Sequence, residues 1–192
     1  MSSVARYFEL WDDMGFPNRW VLQQKDIDEQ GRRVEPWQFK KGLRLQLEAR
    51  PILGISHDGV PLDFSLTELA TPVVTQRFVS LFECMDLEKE VQFIPARVEG
   101  RTEPYFILNV LQVIKCIDDA RCETVLYWTS EDGEPDKVGR YRNVRGLKVD
   151  PDKMGSAHIV RPWGWTGAII VTELLKEAME RAGLTGTEFT GA

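Results

Sequence analysis

Between Tyr105 and Ile114 the chain reads Tyr-Phe-Ile-Leu-Asn-Val-Leu-Gln-Val-Ile, with apolar side chains at odd and even positions alike. A strand that is apolar on both faces predicts a central position with cover on each side. Ahead of it, Val91–Val98 reads as a second strand, which Pro95 demotes to an edge or bulged one, and the turn Glu99-Gly100-Arg101 joins the two as a hairpin. The pattern changes to helical spacing at Val74, Phe78, Leu81, Phe82 and Met85, with Thr71 as the capping oxygen and Pro72 at the first helical position. A second helix is predicted from a Thr172 cap through Leu174, Leu175, Ala178, Met179 and Ala182, stopped by Gly183.

The rest of the pattern is mostly strand-like. Val4–Trp11 predicts a first strand, broken by residues 12–18, and residues 23–42 are polar enough to predict a surface excursion. Leu43–Glu48 alternates cleanly and predicts a strand with one wet face, and His57–Pro61 is a turn leading into Asp63–Leu66. Thr124–Trp128, the acidic turn Glu131–Asp136, the alternating run Val138–Val149 and the short strand Ala157–Trp163 predict more antiparallel sheet. The fold class expected is α+β, a mixed or mainly antiparallel sheet packed by two principal helices. Residues 1–62 are expected to supply N-terminal strands and a variable surface region of the same fold, and residues 63–192 the core domain.

Composition narrows the function classes. At 192 residues the chain can bury a sizeable core without metals or disulfides. A net charge of -6 argues against direct nucleic-acid binding and suits a basic partner. No run approaches a membrane span, and the N-terminus lacks the pattern of a secretory leader, so the expected location is the cytoplasm. The three cysteines, Cys84, Cys116 and Cys122, have no metal-ligand spacing and fit reduced thiols.

Each chemistry-bearing residue has a plain structural reading beside its sharper one. His57 and His158 stand in no nucleophile or metal motif. Cys116 and Cys122 flank Asp118-Asp119, which could be a thiol or cation site but reads more simply as a strand end with a solvated turn. Asn109, inside the apolar run, could be an active-site amide but reads more simply as a buried amide satisfied by backbone or a neighbouring loop. Arg161, Trp163 and Trp165 have the composition of an interface hot spot and equally of a cation–π core edge, and the sequence leaves both open. The acidic turn Glu131, Asp132, Glu134 and Asp136, with Asp86, Glu88 and Glu90, is a candidate for steering a basic partner. No catalytic residue, metal ligand or cofactor is assigned.

Phe78–Glu83, Val91–Ala96, Tyr105–Val110 with Cys116-Ile117-Asp118, Ile159–Pro162 ahead of Ile169–Thr172, and Gly183–Gly186 follow one another in a characteristic order and spacing. Together they resemble the immunity protein family of bacterial polymorphic toxin systems, formerly a domain of unknown function, in its myxobacterial type. The resemblance runs from about Asp63 to Gly186. It implies a non-enzymatic cytoplasmic protein that binds and neutralises a cognate toxin, of a kind often nuclease-like, protecting the producing cell and its kin. It brings no catalytic residues, and Asn109, Asp118, Arg161 and Pro162 match as fold determinants. An acidic protein could occupy the basic cleft of a nuclease as a phosphate mimic. The alternative from another class is a small-molecule-binding domain or enzyme with a pocket near His158, Arg161, Trp163 and Trp165 and an acid from Asp118 or Asp119. A third is an assembly module whose aromatic-rich N-terminus mediates homo-oligomerisation.

Overall fold

The computed structural model describes residues 6–192, so Val4 and Ala5 of the first predicted strand lie outside the described residues. In chain order the strands and helices are β1 (Tyr7–Asp12), β2 (Val21–Asp28), β3 (Pro51–His57), β4 (Phe64–Leu66), β5 (Pro72–Thr75), α1 (Gln76–Cys84), β6 (Val91–Val98), β7 (Tyr105–Val110) and β8 (Val113–Ile114). Then follow β9 (Thr124–Tyr127), β10 (Tyr141–Arg145), β11 (Ile159–Pro162), β12 (Ile170–Thr172), α2 (Glu173–Arg181) and β13 (Thr187–Gly191). The class is α+β and mostly sheet. A six-stranded sheet runs β2-β3-β6-β7-β5-β4, a five-stranded one β13-β1-β12-β11-β8, and β9 with β10 forms a separate ribbon.

The doubly apolar run is a central strand, as its pattern demands. β7 lies between β6 and β5, and Ile107 and Leu108, pointing to opposite faces, are both fully buried. Leu108 and Val110 join a core with Phe78 and Phe82 of α1, Leu175 and Met179 of α2, and Leu10, Ile159 and Val171 of the five-stranded sheet. Tyr105 and Ile107 join a second core with Trp20, Leu22, Phe39 and Leu53. A third core lies around Val160 and Ile170, against Cys116, Leu147 and Val149. Alternation along β11 thus places Ile159 in the first core and Val160 in the third. The long apolar run also breaks once, after Val110, so that Val113 and Ile114 pair in parallel with Arg161 and Pro162 in the other sheet.

Four local expectations are corrected. Pro72 does not open the first helix: Val73 and Val74, β-branched, pair with β4 and β7 as part of β5, and the helix begins at Gln76. Its Thr75 cap position makes no side-chain cap, because that hydroxyl donates to Asp63 Oδ1 at 2.7 Å. Residues 23–42 are not a loose excursion, since they hold most of β2, a polar strand at the sheet edge, and a short turn over Pro36–Lys40 that buries Phe39. Leu43–Glu48 forms no strand. The Gln92 side chain takes over the pairing, accepting from the Leu45 amide at 2.9 Å and donating to its carbonyl at 2.7 Å. Finally, β6 is not an edge strand, although β3 pairs with it only at Arg97 and Val98 and so stops short of Pro95. The β6–β7 hairpin and the Thr172-capped α2 are as expected, with the Leu175 amide 3.4 Å from the capping hydroxyl.

Candidate functional site

The β9–β10 ribbon belongs to neither main sheet, and an isolated pair of strands is marginal in water unless something anchors it. The anchor is a tyrosine pair on one aspartate. Tyr127 and Tyr141 pack with ring centroids 4.8 Å apart, and both hydroxyls donate to Asp119, that of Tyr141 at 2.8 Å. Burial first, and then this hydrogen-bonded group, holds the Tyr141 phenol well above its ordinary range, whereas for Tyr127 the bond to Asp119 is the leading cause. The neighbouring thiols are structural: burial pushes Cys116 up to about 11, and Cys122 Sγ accepts from the Lys148 amide at 3.3 Å. Among the described residues no group of three or more His, Cys, Asp or Glu side chains is placed to hold a metal ion.

Beside the ribbon runs the loop that follows β11. Arg161 is fully buried, and its Nη1 donates to the carbonyls of Thr166 at 2.5 Å and Ala168 at 3.5 Å, while Nε and Nη2 have no partner. Burial lowers its pKa to about 10. It offers no surface to a partner and instead fixes the loop above it. Trp163 emerges from this loop with Lys115 Nζ 4.1 Å over its ring, and Trp165 is half-buried. Gly164 has φ of +78°, and a Cβ there would sit 3.1 Å from the Tyr141 ring, so glycine lets the loop lie against the ribbon.

Together the loop, the ribbon and the Pro36–Lys40 turn enclose an open cleft of about 730 Å³. The turn is held there by Gly42, with φ of +70°, where a Cβ would meet Val113 Cγ2 at 2.5 Å. Five of the twelve lining residues are cations, Lys40, Lys41, Lys137, Arg140 and Arg142, and four are aromatic, Trp37, Trp128, Tyr141 and Trp165; none is acidic. Lys40 Nζ stands 4.9 Å over Trp37, and Lys137 and Arg142 stand 4.9 and 5.2 Å over Trp128. Lys40 also donates to the Leu69 carbonyl, and burial, with the charge of Arg161 adding to it, lowers its pKa to about 8. Lys40 and Arg140 were invisible as site residues in the sequence, because no spacing links a turn before β3 to the far strand of a ribbon.

The acidic candidates separate by what they already hold. Glu90 accepts from the amides of His158 and Ile159 at 2.7 and 3.0 Å, which fastens β11 to the end of α1's connection. Asp132 accepts from the Thr129 amide at 2.8 Å, which with the Thr129 hydroxyl holds its pKa low, and pairs with Arg142. Glu134 pairs with Lys137 at 3.5 Å. Asp86, Glu88, Glu131 and Asp136 are exposed and, among the described residues, make no ion pair. The histidines do not converge: His158 Nδ1 lies 3.1 Å from the Thr172 hydroxyl, and His57 ends β3 in the other sheet. The buried amide expected at Asn109 is satisfied on its nitrogen, which donates to the Leu43 carbonyl at 2.8 Å and to Gln92 Oε1 at 3.0 Å, whereas its Oδ1 has no partner.

The surface around the cleft carries exposed rings, cations and acids, the materials of recognition. A comparison with curated proteins finds no match. The model of the immunity protein family Imm11 matches residues 3–192, which carries the resemblance through the N-terminal sixty residues as well. With nearly its whole length matched, the chain belongs to the Imm11 immunity protein family.

Proposed function

We propose that this protein neutralises a cognate toxin by direct binding, without catalysis of its own, in the cytoplasm of the producing cell. The observation that carries the reading is the set of rings left out of the cores on one side of the molecule: Trp37 is 55% exposed, Tyr127 41% and Trp163 38%. Burying such a ring is worth kilocalories to a fold, and tryptophan, tyrosine and arginine are the residues from which interfaces draw most of their energy. We further propose that the toxin is a nuclease. Net charge -6 supports this, and of the acidic turn and the Asp86–Glu90 acids the side chains available to meet a basic substrate cleft are Asp86, Glu88, Glu131 and Asp136, which are exposed and make no ion pair among the described residues.

The test is co-purification with the product of the neighbouring gene, followed by titration of both into a nucleic-acid degradation assay. A complex that abolishes degradation at a fixed ratio is expected. Absence of both complex and protection would overturn the reading and favour a small-molecule-binding domain, for which the 730 Å³ cleft is the supporting observation. A complex that leaves degradation unchanged would retain the inhibitor and remove the nuclease.

A further inference from the structure

The distribution of charge is uneven in a direction that net charge conceals. The chain carries 30 acidic and 24 basic side chains, yet the cleft between the Pro36–Lys40 turn, the ribbon and the 164–167 loop is lined by five cations and no acid. Cations of this density repel one another, and a fold gains nothing by collecting them unless something of opposite charge is to be held. Two of the five have partial counter-charges at the rim, Arg142 from Asp132 and Lys137 from Glu134. Lys41 and Arg140 make no ion pair among the described residues, and behind the cleft wall the buried Arg161 has Nε and Nη2 without partners.

We propose that this cleft is a docking groove for an acidic segment of the toxin, whose carboxylates are taken by Lys41, Lys137 and Arg140 and whose backbone lies along the Trp165 ring. The inference rests on the direct-binding reading above and deepens it: contact is made through positive charge in a negatively charged protein. A carboxylate-bearing chain is favoured over a nucleic acid because the Trp37 and Trp128 rings already carry this protein's own cations, at 4.9 Å from Lys40 and 4.9 Å from Lys137. Rings so occupied hold ammonium groups in place and have less face left for bases, whose binding depends on stacking. The overall charge of -6 further disfavours a polyphosphate.

The experiment compares wild type with the double variant Lys41→Glu/Arg140→Glu, and with Lys41→Arg/Arg140→Lys as the charge-conserving control. Both positions are exposed, so the folded state is expected to survive, which thermal denaturation checks. Affinity for the purified toxin is measured across a salt series, with octaglutamate as competitor and a single-stranded oligonucleotide as a separate titrant. The expected result is a loss of about tenfold or more and a shallower salt dependence in the charge-reversed variant, retention in the control, and competition by octaglutamate. Unchanged affinity and salt dependence would overturn the groove while leaving direct binding intact. Oligonucleotide binding that is lost with Lys41 and Arg140 would overturn it in favour of a nucleic acid. Failure of wild type to bind the toxin would remove the direct-binding reading, and the groove with it.

Discussion

Asn109 and Arg161 are both fully buried polar side chains on strands, each with at least one atom left unpartnered, and the fold puts them to different use. Asn109 lies at the centre of the six-stranded sheet, and its amide group is used to close the structure: it donates to Leu43 and to Gln92, and Gln92 in turn holds Leu45 at both backbone atoms. The polar pair replaces a missing strand. Arg161 lies one strand in from the other sheet's edge, where one nitrogen fixes the 166–168 loop and two others stay unpartnered, with Lys40 close enough to feel its charge. A buried charge without a counter-ion costs far more than a buried amide. One region is therefore arranged for stability, whereas the other holds charge at a cost to stability, beside the rings and cations offered to a partner.

Substitutions should separate the two regions. Phe78, fully buried and stacked 5.1 Å from Phe82, lies where packing decides everything, so Phe78→Ala should lose about 3–5 kcal/mol in urea denaturation while the remaining folded protein still binds toxin normally. Trp163→Ala should do the reverse, weakening the toxin complex by about 2 kcal/mol in calorimetric titration and changing stability by less than about 1 kcal/mol. A Trp163→Ala protein that unfolds readily and binds as before would place that ring with the core. Gln92→Ala should cost about 1–2 kcal/mol of stability, because the Leu45 amide and Asn109 lose acceptors together, and amide exchange should show Leu45 newly unprotected. Protection that persists at Leu45 would mean that the 43–47 segment is held by packing alone.

Legibility in the sequence follows the same division. The β6–β7 hairpin and α2 were readable because periodicity and capping are local, and their partners are set by the same residues that form them. The apparent strand Leu43–Glu48 misled for an instructive reason: its alternation is real, with Leu45 and Leu47 packed on the second core, but the backbone meets a side-chain amide instead of a strand. Pro72 misled because a proline before a helix also suits the start of a strand, and Val73 and Val74 settle the choice by pairing across the sheet. The cleft was half legible. Trp165 was singled out by composition, whereas Trp37, Lys40 and Lys41 are brought to it only by the fold, across more than a hundred residues of chain, and Arg140 by the ribbon.

Lys40 joins both regions and offers the finest test of the contrast. Its pKa of about 8 in the folded protein, against 10.5 ordinarily, means that the unfolded chain binds more protons between those values, so this group's cost is present at neutral pH and is relieved as pH rises through the window. The groups facing it are the Leu69 carbonyl, the Trp37 ring and Arg161, with no carboxylate among them. Lys40→Met should therefore be more stable than wild type at pH 7, on the order of 1 kcal/mol, and the advantage should close toward pH 10, followed by denaturation of both proteins at each pH. A lysine held by a counter-ion would give the opposite sign, with the variant weaker at pH 7. Charge kept at a cost in the free protein is charge that an acidic ligand can relieve, so the same substitution that stabilises the protein alone should weaken its complex with the toxin.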